Sequence, residues 1–362
     1  MKLNKISAAQ IIPENIYLYN QDNKPHLYQV EIDPIDFCNH NCNWCFTADF
    51  RKDKRLSLPH LKTYLESFIS AGGKSVVFSG GGEPLLYKEI YTKTAIFNDK
   101  SICRYLIENS IHVGIITNGV LLDNLMDSDF DMRDLSFIRV SLDATNEIEH
   151  SILHDTTITG FDVIIKGINR AIVNRADSYT PAIGISFIVD KLNNINYNYS
   201  QIANINKLSC ELDVDFVQFK HIHTENKNFA LENMQSIHSH CIKLDWKNTE
   251  FWVQVYDSAN THEICRVSQY IQSIGANSKR YPCCHLFGRT EFLDQNTFHP
   301  EGKVVHGCQN KVCRYTEINT LLNGSNLSGM DTLKKSLEQD GFHPFRYCPT
   351  SPTILKPYQT IC

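Results

Sequence analysis

Three closely spaced cysteines form the part of this sequence whose residue types point most directly to chemistry. Cys38, Cys42 and Cys45 lie in the run Phe-Cys-Asn-His-Asn-Cys-Asn-Trp-Cys-Phe, and the next cysteine is Cys103. Three thiolates can hold three irons of a [4Fe–4S] cluster, and the lack of a nearby fourth thiolate leaves one iron open for another ligand. Thiolates also suit zinc, and a lone C-x2-C pair would favour a zinc or redox site.

Composition is that of an ordinary globular protein. The 362 residues carry a formal net charge of −5, with 42% hydrophobic and 21% charged residues. A surface that follows a phosphate backbone normally has a basic excess, so no nucleic-acid partner is expected. Residues 1–13 contain neither a signal peptide nor an apolar membrane span, which predicts a cytoplasmic protein without membrane association. In a reducing compartment, the 13 cysteines are expected to be metal ligands and buried thiols rather than disulfides.

Short apolar segments alternate with helical ones along the first two thirds of the chain. Strands are predicted over 27–33, 75–79, 112–117, 137–143, 183–189 and 216–220. Apolar residues recur at helical spacing over 58–69 and 161–175, among other segments. Strands that alternate with helices pair in parallel through right-handed crossovers, which predicts an α/β fold. Six such units are two short of a full (β/α)8 barrel.

Polar clusters follow the first four predicted strands, at the edge where parallel barrels gather their chemistry. The cysteines follow the first strand, and the later strands are followed by Gly80, Gly81, Gly82 and Glu83, then by Thr117 and Asn118, then by Ser141 and Asp143. Consecutive glycines let backbone groups approach a ligand closely, although they are also typical of a tight turn. The polar side chains could bind a ligand, or they could cap their own loops through local hydrogen bonds.

Two of these motifs resemble those of the radical S-adenosylmethionine (SAM) enzymes. The cysteines, with Trp44 at the aromatic position, resemble the signature C-x3-C-x-aromatic-C, and Gly-Gly-Glu-Pro after the second strand resembles the second motif of that family. The resemblance implies a partial (β/α)6 TIM-type barrel over residues 27–250, after an N-terminal extension at 1–26. It also implies that Cys38, Cys42 and Cys45 hold a [4Fe–4S] cluster whose open iron binds SAM.

The same resemblance assigns SAM contacts to the glycine loop and to the strand ends. The expected cofactor-binding residues are Trp44, Gly80, Gly81, Gly82, Glu83, Thr117, Asn118, Ser141, Asp143 and Ser186. A side chain at Gly81 or Gly82 is expected to occupy the space that the methionyl group of SAM needs. Lys220 and His221, at the end of the sixth strand, are the candidate catalytic residues, although a solvated lysine and a loop histidine would explain them as well.

Residues 251–362 are predicted to form a small cysteine-rich domain, because seven of the cysteines lie beyond residue 264. The segment Ala-Asn-Ser-Lys-Arg-Tyr-Pro-Cys, which ends at Cys283, resembles the hairpin that opens the auxiliary-cluster domains of radical SAM enzymes, with Asn-Ser in place of the usual Asp-Gly. The resemblance implies one auxiliary [4Fe–4S] cluster on Cys265, Cys283, Cys308 and Cys313, as in the short form of this domain, called twitch, rather than in the longer SPASM form. Cys284, Cys348 and Cys362 remain as substitutes, and Cys103, Cys210 and Cys241 are predicted to be inert buried thiols.

The activity that the resemblance implies is a radical oxidoreductase reaction. An external one-electron donor such as flavodoxin or ferredoxin reduces the cluster, SAM is cleaved, and the 5′-deoxyadenosyl radical takes a hydrogen atom from the substrate. The expected substrate is a small molecule of the amino sugar, cyclitol or nucleoside type, since the first 26 residues are too few for the leader-recognition domain that peptide-modifying relatives often carry. The alternatives are a peptide or protein maturase, and a non-catalytic iron–sulfur or zinc protein.

Overall fold

The six predicted strands all form, in the predicted order. The computed structural model describes residues 27–45, 47–156, 160–176, 178, 180–189, 201–220, 227–254, 262–283, 304–308, 319, 322–323 and 354–355. The first six strands are β1 (Gln29–Ile32), β2 (Ser75–Phe78), β3 (His112–Thr117), β4 (Phe137–Ser141), β5 (Ala182–Ile188) and β6 (Phe216–Lys220). Their ends differ from the predicted ends by at most about two residues, which is the usual uncertainty of element boundaries.

Helices connect these strands. They are α1 (Leu58–Ser70), α2 (Ile102–Glu108), α3 (Glu147–His154), α4 (Phe161–Arg175), α5 (Ile202–Leu212) and α6 (Lys227–Cys241). The Asn146 side chain caps α3 by accepting a hydrogen bond from the amide of Glu149, and the helix is followed by Asp155, which has a left-handed backbone conformation. In the part of the chain that the structure describes, no helix is both long and apolar enough to cross a membrane.

Among the described residues, six further strands follow β6. They are β7 (Glu250–Gln254), β8 (His262–Cys265), β9 (Ile271–Ile274), β10 (Arg280–Tyr281), β11 (Val305–Cys308) and β12 (Ile354–Leu355). The main sheet has the order β10-β9-β1-β2-β3-β4-β5-β6-β7-β12, and β8 pairs with β11 in a separate ribbon. Every neighbouring pair from β9 to β7 is parallel, whereas β10 and β12 are antiparallel to their neighbours. The described strands form an open α/β sheet, consistent with the partial barrel that the sequence predicts.

The parallel region extends beyond the six predicted units on both sides. β7 pairs with β6, and β9 pairs with β1. The predicted division at residue 250 falls on the first residue of β7, so chain on both sides of it contributes to one sheet. The separation into two domains remains a prediction.

One face of the sheet is unusually polar for parallel strands. An apolar group around Phe137, Phe216 and Trp252 lies at one end of this face, where the last two rings stack with centroids 4.2 Å apart. Side chains alternate along a strand, so Arg139, two residues after Phe137, and Gln218, two residues after Phe216, lie on the same face. Both are buried, and Arg139 Nη1 donates to Gln218 Oε1 over 2.7 Å. Parallel strands that are covered on both faces normally read as apolar runs, so this polar face is a candidate ligand surface.

Candidate cluster and cofactor site

The three cysteines lie in the loop that leaves the carboxyl end of β1, as predicted. Cys38, Cys42 and Cys45 are free and half-buried, and the amide of Cys45 donates to the carbonyl oxygen of Cys42 over 3.1 Å. Burial is the main reason that the pKa values of Cys38 and Cys42 are raised. Without a bound cation these two groups are therefore thiols at neutral pH, and binding iron would displace their protons.

Arg51 joins the cysteine loop to the glycine loop. Its Nη2 donates to Cys45 Sγ over 2.9 Å, its Nε donates to the carbonyl oxygen of Gly81 over 2.9 Å, and its Nη1 donates to that of His40 over 3.3 Å. Thr47 makes a parallel connection, since its hydroxyl donates to Gly81 O over 2.8 Å and lies 3.2 Å from Cys45 Sγ. The sequence-based prediction missed both residues, because nothing in their spacing shows that they reach a sulfur.

The other two sulfurs also have polar neighbours. The amide of His40 donates to Cys38 Sγ over 3.4 Å, and Asn118 Nδ2 lies 4.0 Å from the same sulfur. Cys42 Sγ lies 3.0 Å from Nδ1 of His154. Sulfur ligands of iron–sulfur clusters accept hydrogen bonds that tune the cluster, so three free thiols, of which Cys38 and Cys45 accept such bonds, fit a [4Fe–4S] cluster held by three cysteines.

The glycine loop packs directly on the backbone that leads to the cysteines. A Cβ atom on Gly82 would lie 2.1 Å from the carbonyl oxygen of Phe37 and 2.4 Å from that of Ile35. The amide of the next residue, Glu83, donates to Phe37 O over 3.0 Å. A side chain at Gly82 would therefore first collide with the cysteine loop itself, and its effect on the space for SAM remains a prediction.

Gly80 and Gly81 pack against the carboxyl group of Asp33, at the end of β1. A Cβ atom on Gly80, whose φ is +142°, would lie 2.4 Å from Asp33 Oδ1, and one on Gly81 would lie 2.7 Å from Oδ2. Burial raises the pKa of Asp33 to about 7, and hydrogen bonding from the amides of Gly81, Gly82 and Ala276 opposes part of this rise. These glycines therefore serve the close approach of two loops, whatever contact they also make with a cofactor.

Glu83 fastens the glycine loop to the end of β3. Its carboxylate accepts hydrogen bonds from the hydroxyl of Thr117 over 2.6 Å and from the amides of Asn118 and Leu85 over 2.7 and 3.0 Å. The side chain is buried, which raises its pKa to about 7 against the effect of these donors. Asn118 Nδ2 in turn donates to Asn39 Oδ1 over 2.6 Å. The structure thus brings three of the predicted cofactor-binding residues together with the cysteine loop.

The ends of β4 and β5 place two predicted serines side by side. Ser141 pairs in register with Ser186, and Ser186 pairs with Gln218 on β6. Ser186 is fully buried, and its hydroxyl has no hydrogen-bond partner among the described residues. Asp143 has a different environment, because its Oδ1 accepts a hydrogen bond from the amide of Ile188 over 2.7 Å. Asp143 therefore ties β4 to β5, whereas the role of Ser186 in binding a ligand remains a prediction.

The remaining candidates in the barrel region are less informative. The Trp44 ring lies 6.0 Å from that of His154. Lys220 is half-buried at the end of β6, and His221 lies outside the described residues. Cys103 and Cys241 are buried as predicted, but Cys210 is only half-buried.

The predicted auxiliary cysteines are partly described. Cys265 ends β8, and Cys283 follows β10; both are half-buried. In the ribbon, Cys265 pairs in register with Val305, whereas Cys308 pairs with His262. Val305 is the residue opposite Cys265, and Cys308 lies three residues, or about 10 Å, further along β11. Cys313, Cys284, Cys348 and Cys362 lie outside the described residues, so the auxiliary ligand set remains a prediction.

A group of buried histidines beside Cys42 escaped the sequence-based prediction. His40 lies in the cysteine loop, and His150 and His154 lie one turn apart on α3; their ring centroids are 4.5 to 5.2 Å apart. Burial lowers the pKa of His40 to about 3 and that of His150 to about 4, so both rings are neutral at pH 7. The spacing of four residues between His150 and His154 was the available signal, because it places both on one face of a helix.

Comparison with known proteins finds a family match over the part of the chain that contains this site. Residues 32–185 match the family model described as the Radical SAM superfamily. The Fe-coproporphyrin III synthase of Methanosarcina barkeri is 25% identical over 205 residues, which cover 53% of this chain and 47% of that protein. The GTP 3′,8-cyclase of Staphylococcus carnosus is 33% identical over 126 residues, which cover 32% of this chain and 34% of that protein. The chain thus spans less than half of the length of these relatives.

Solved structures share the fold. SuiB of Streptococcus suis, bound to S-adenosylmethionine, superposes with a TM-score of 0.56 at 17% identity, covering 77% of this chain and 66% of SuiB. A second SuiB structure holds the precursor peptide SuiA. The match to the radical SAM family implies a [4Fe–4S] cluster and SAM as cofactors.

Proposed function

Because residues 32–185 of this chain match the Radical SAM superfamily model, we propose that the protein cleaves SAM reductively and abstracts a hydrogen atom from a substrate. The observation that carries this proposal is the arrangement at the end of β1. Three free, half-buried thiols lie beside a glycine loop, and each sulfur has a polar neighbour within 4.0 Å.

The residues around the site have separate tasks in this proposal. Cys38, Cys42 and Cys45 would hold a [4Fe–4S] cluster, which supplies the electron for SAM cleavage when it is bound. Arg51 connects the cysteine loop to the glycine loop and donates a hydrogen bond to the sulfur of Cys45, one of the proposed cluster ligands. Glu83 keeps the end of β3 against the glycine loop. These fixed contacts pre-organise the surface that SAM would occupy.

For the substrate we favour a small polar molecule. Arg139, Gln218 and Ser186 are buried on one face of the sheet, where an apolar filling would otherwise be expected. Such groups are suited to fixing the orientation of a hydroxyl-rich or anionic small molecule. One relative, the GTP 3′,8-cyclase, is named for a nucleotide substrate, which agrees with the nucleoside class. A peptide or protein substrate is the alternative. Incubation with small molecules and with peptides, followed by analysis of which of them is modified, distinguishes the two substrate classes.

Two further parts of the proposal concern electrons. An external donor of the flavodoxin or ferredoxin type would reduce the first cluster. A second cluster on Cys265, Cys283, Cys308 and Cys313 would accept an electron from a substrate radical, which favours an oxidation. In that case the reconstituted protein holds about eight irons per chain, four in each cluster.

The proposal is tested by replacing Cys38, Cys42 and Cys45 together with alanine. We expect the anaerobically reconstituted variant to lose about four irons per chain and all release of 5′-deoxyadenosine from SAM after reduction by dithionite. Cys210→Ser, at a half-buried cysteine away from the loop, serves as the control and should keep both properties. If the triple variant still releases 5′-deoxyadenosine, the site assignment is wrong. If the wild type releases none, only the non-catalytic iron–sulfur or zinc alternative remains.

A further inference from the structure

The histidine cluster, defined as His40, His150 and His154, has the features of a second metal site. The three rings are at most 3% exposed. Each residue offers one ring nitrogen such that the three nitrogens all lie within 4.8 Å of one another. The residues come from two elements that are far apart in the chain. His40 lies in the cysteine loop, and His150 and His154 lie on α3.

The hydrogen bonding of these rings leaves nitrogens available as ligands. Both ring nitrogens of His40 and both of His150 are buried without a hydrogen-bond partner among the described residues. A buried polar atom without a hydrogen-bond partner destabilises the folded state, so four of them in one place call for a ligand. His154 Nε2 lies 3.2 Å from the carbonyl oxygen of Leu142, which can only accept a hydrogen bond, so this nitrogen is the donor. The lone pair of the ring is then on Nδ1, and the hydrogen bond from Nε2 fixes the orientation of the ring, as such bonds do for histidines that bind a metal through their other nitrogen.

The distances allow a metal ion after a small adjustment. For three atoms within 4.8 Å of one another, there is always a point that lies within about 2.8 Å of all three. Zinc–nitrogen bonds are about 2.0–2.1 Å long, so each ring nitrogen has to move by less than about 1 Å. We propose that the histidine cluster binds one divalent ion of the zinc class through three imidazole nitrogens. Neutral imidazole suits zinc and its neighbours in the first transition row, whereas it is a poor site for magnesium or calcium.

Such an ion would fasten α3 to the cysteine loop behind Cys42. The contact between Cys42 Sγ and His154 Nδ1, at 3.0 Å, shows how close the two centres are. The two sites differ in chemistry, because the cysteine site offers sulfur ligands and the histidine cluster offers nitrogen ligands. The role of the ion is therefore structural, and the proposal does not depend on SAM cleavage.

The composition of the site is tested on the anaerobically purified, cluster-containing protein. We expect one zinc per chain in the wild type that is absent from His150→Phe, while iron content is unchanged. Zinc X-ray absorption should show nitrogen neighbours near 2.0 Å, rather than sulfur neighbours near 2.3 Å as at cysteines. His60→Phe, at an exposed histidine on α1, is the control and should keep the zinc. Equal zinc in wild type and His150→Phe, or a shell that contains sulfur, would overturn the proposal.

Thermal unfolding gives a second test, because a bound zinc ion and an empty cluster predict opposite changes in the Tm of His150→Phe. If zinc is bound, a zinc chelator lowers the Tm of the wild type but not that of His150→Phe, and the variant is less stable than the untreated wild type. If nothing is bound, replacing an unsatisfied imidazole with phenyl removes two orphaned buried nitrogens and leaves stability equal or higher. A wild type that is insensitive to the chelator, together with a variant of equal or higher Tm, would reject the site.

Discussion

At the scale of single residues, the cysteine loop depends on side chains that the cysteine spacing does not reveal. Arg51 is the clearest case, since one guanidinium contacts Cys45 Sγ, Gly81 O and His40 O. Its planar group with five donors allows several directed hydrogen bonds at once, which a lysine ammonium could not reproduce in this geometry. A fixed positive charge next to a cysteine sulfur that binds the cluster favours the more negative, reduced form of the cluster.

The variant Arg51→Met should therefore lower the reduction potential of the first cluster while its iron is kept. A charge-assisted hydrogen bond contributes about 1.5 kcal/mol, which corresponds to about 60 mV for a one-electron couple. The potential is measured by a redox titration followed by electron paramagnetic resonance. Arg55→Met is the matched control, because Arg55 lies over the Tyr87 ring and pairs with Glu89 instead. An equal potential in both variants would show that Arg51 only positions the loop.

At the scale of elements, the site is built by loops that follow neighbouring parallel strands and dock on one another. Gly82 lies where the loop after β2 meets the loop after β1, and Glu83 ties the same loop to the end of β3. The obstacle at Gly82 is backbone, which cannot rotate away. At Gly81 it is a carboxylate oxygen of Asp33, which can shift. The two adjacent glycines therefore differ in how much a methyl group should cost.

We predict that Gly82→Ala lowers the iron content of the first cluster and destabilises the protein by about 1–3 kcal/mol, the usual range for overpacking. Gly81→Ala should have a smaller effect on both quantities. Iron per chain and the midpoint of denaturant unfolding measure the two effects. The docking described here would be refuted if Gly82→Ala kept the iron content and midpoint of the wild type.

At the scale of the whole molecule, Asp33 lies where the parallel sheet, the glycine loop and the C-terminal strands meet. Its amide donates to Ile274 O at the end of β9 over 2.8 Å, and its buried carboxyl group faces Gly80 and Gly81. Burial raises the pKa of Asp33 from 3.8 to about 7. A carboxyl group with a raised pKa favours folding below its unfolded pKa, and this contribution is lost as pH rises through the folded pKa.

The free energy of unfolding should therefore fall between about pH 4 and pH 7 through the ionisation of Asp33, and Asp33→Asn should remove part of that fall. The part removed is roughly 1–4 kcal/mol, since each pKa unit corresponds to about 1.4 kcal/mol. Denaturant unfolding measured across this pH range provides the comparison. Asp53→Asn, at an exposed aspartate, should leave the slope as in the wild type. Parallel curves for wild type and Asp33→Asn would contradict the raised pKa.

The sequence alone determined the features that depend on residue type and local period. The cysteine spacing, the glycine loop and six strands with their order could be read directly, because apolar periodicity and turn residues act over short distances. Tertiary structure decided the rest. It placed β9 beside β1, turned Gly82 into a contact with the backbone of the cysteine loop, and brought His40 against two histidines more than a hundred positions away. Such contacts join segments far apart in the chain, so they depend on strand register and loop docking, which no local pattern encodes.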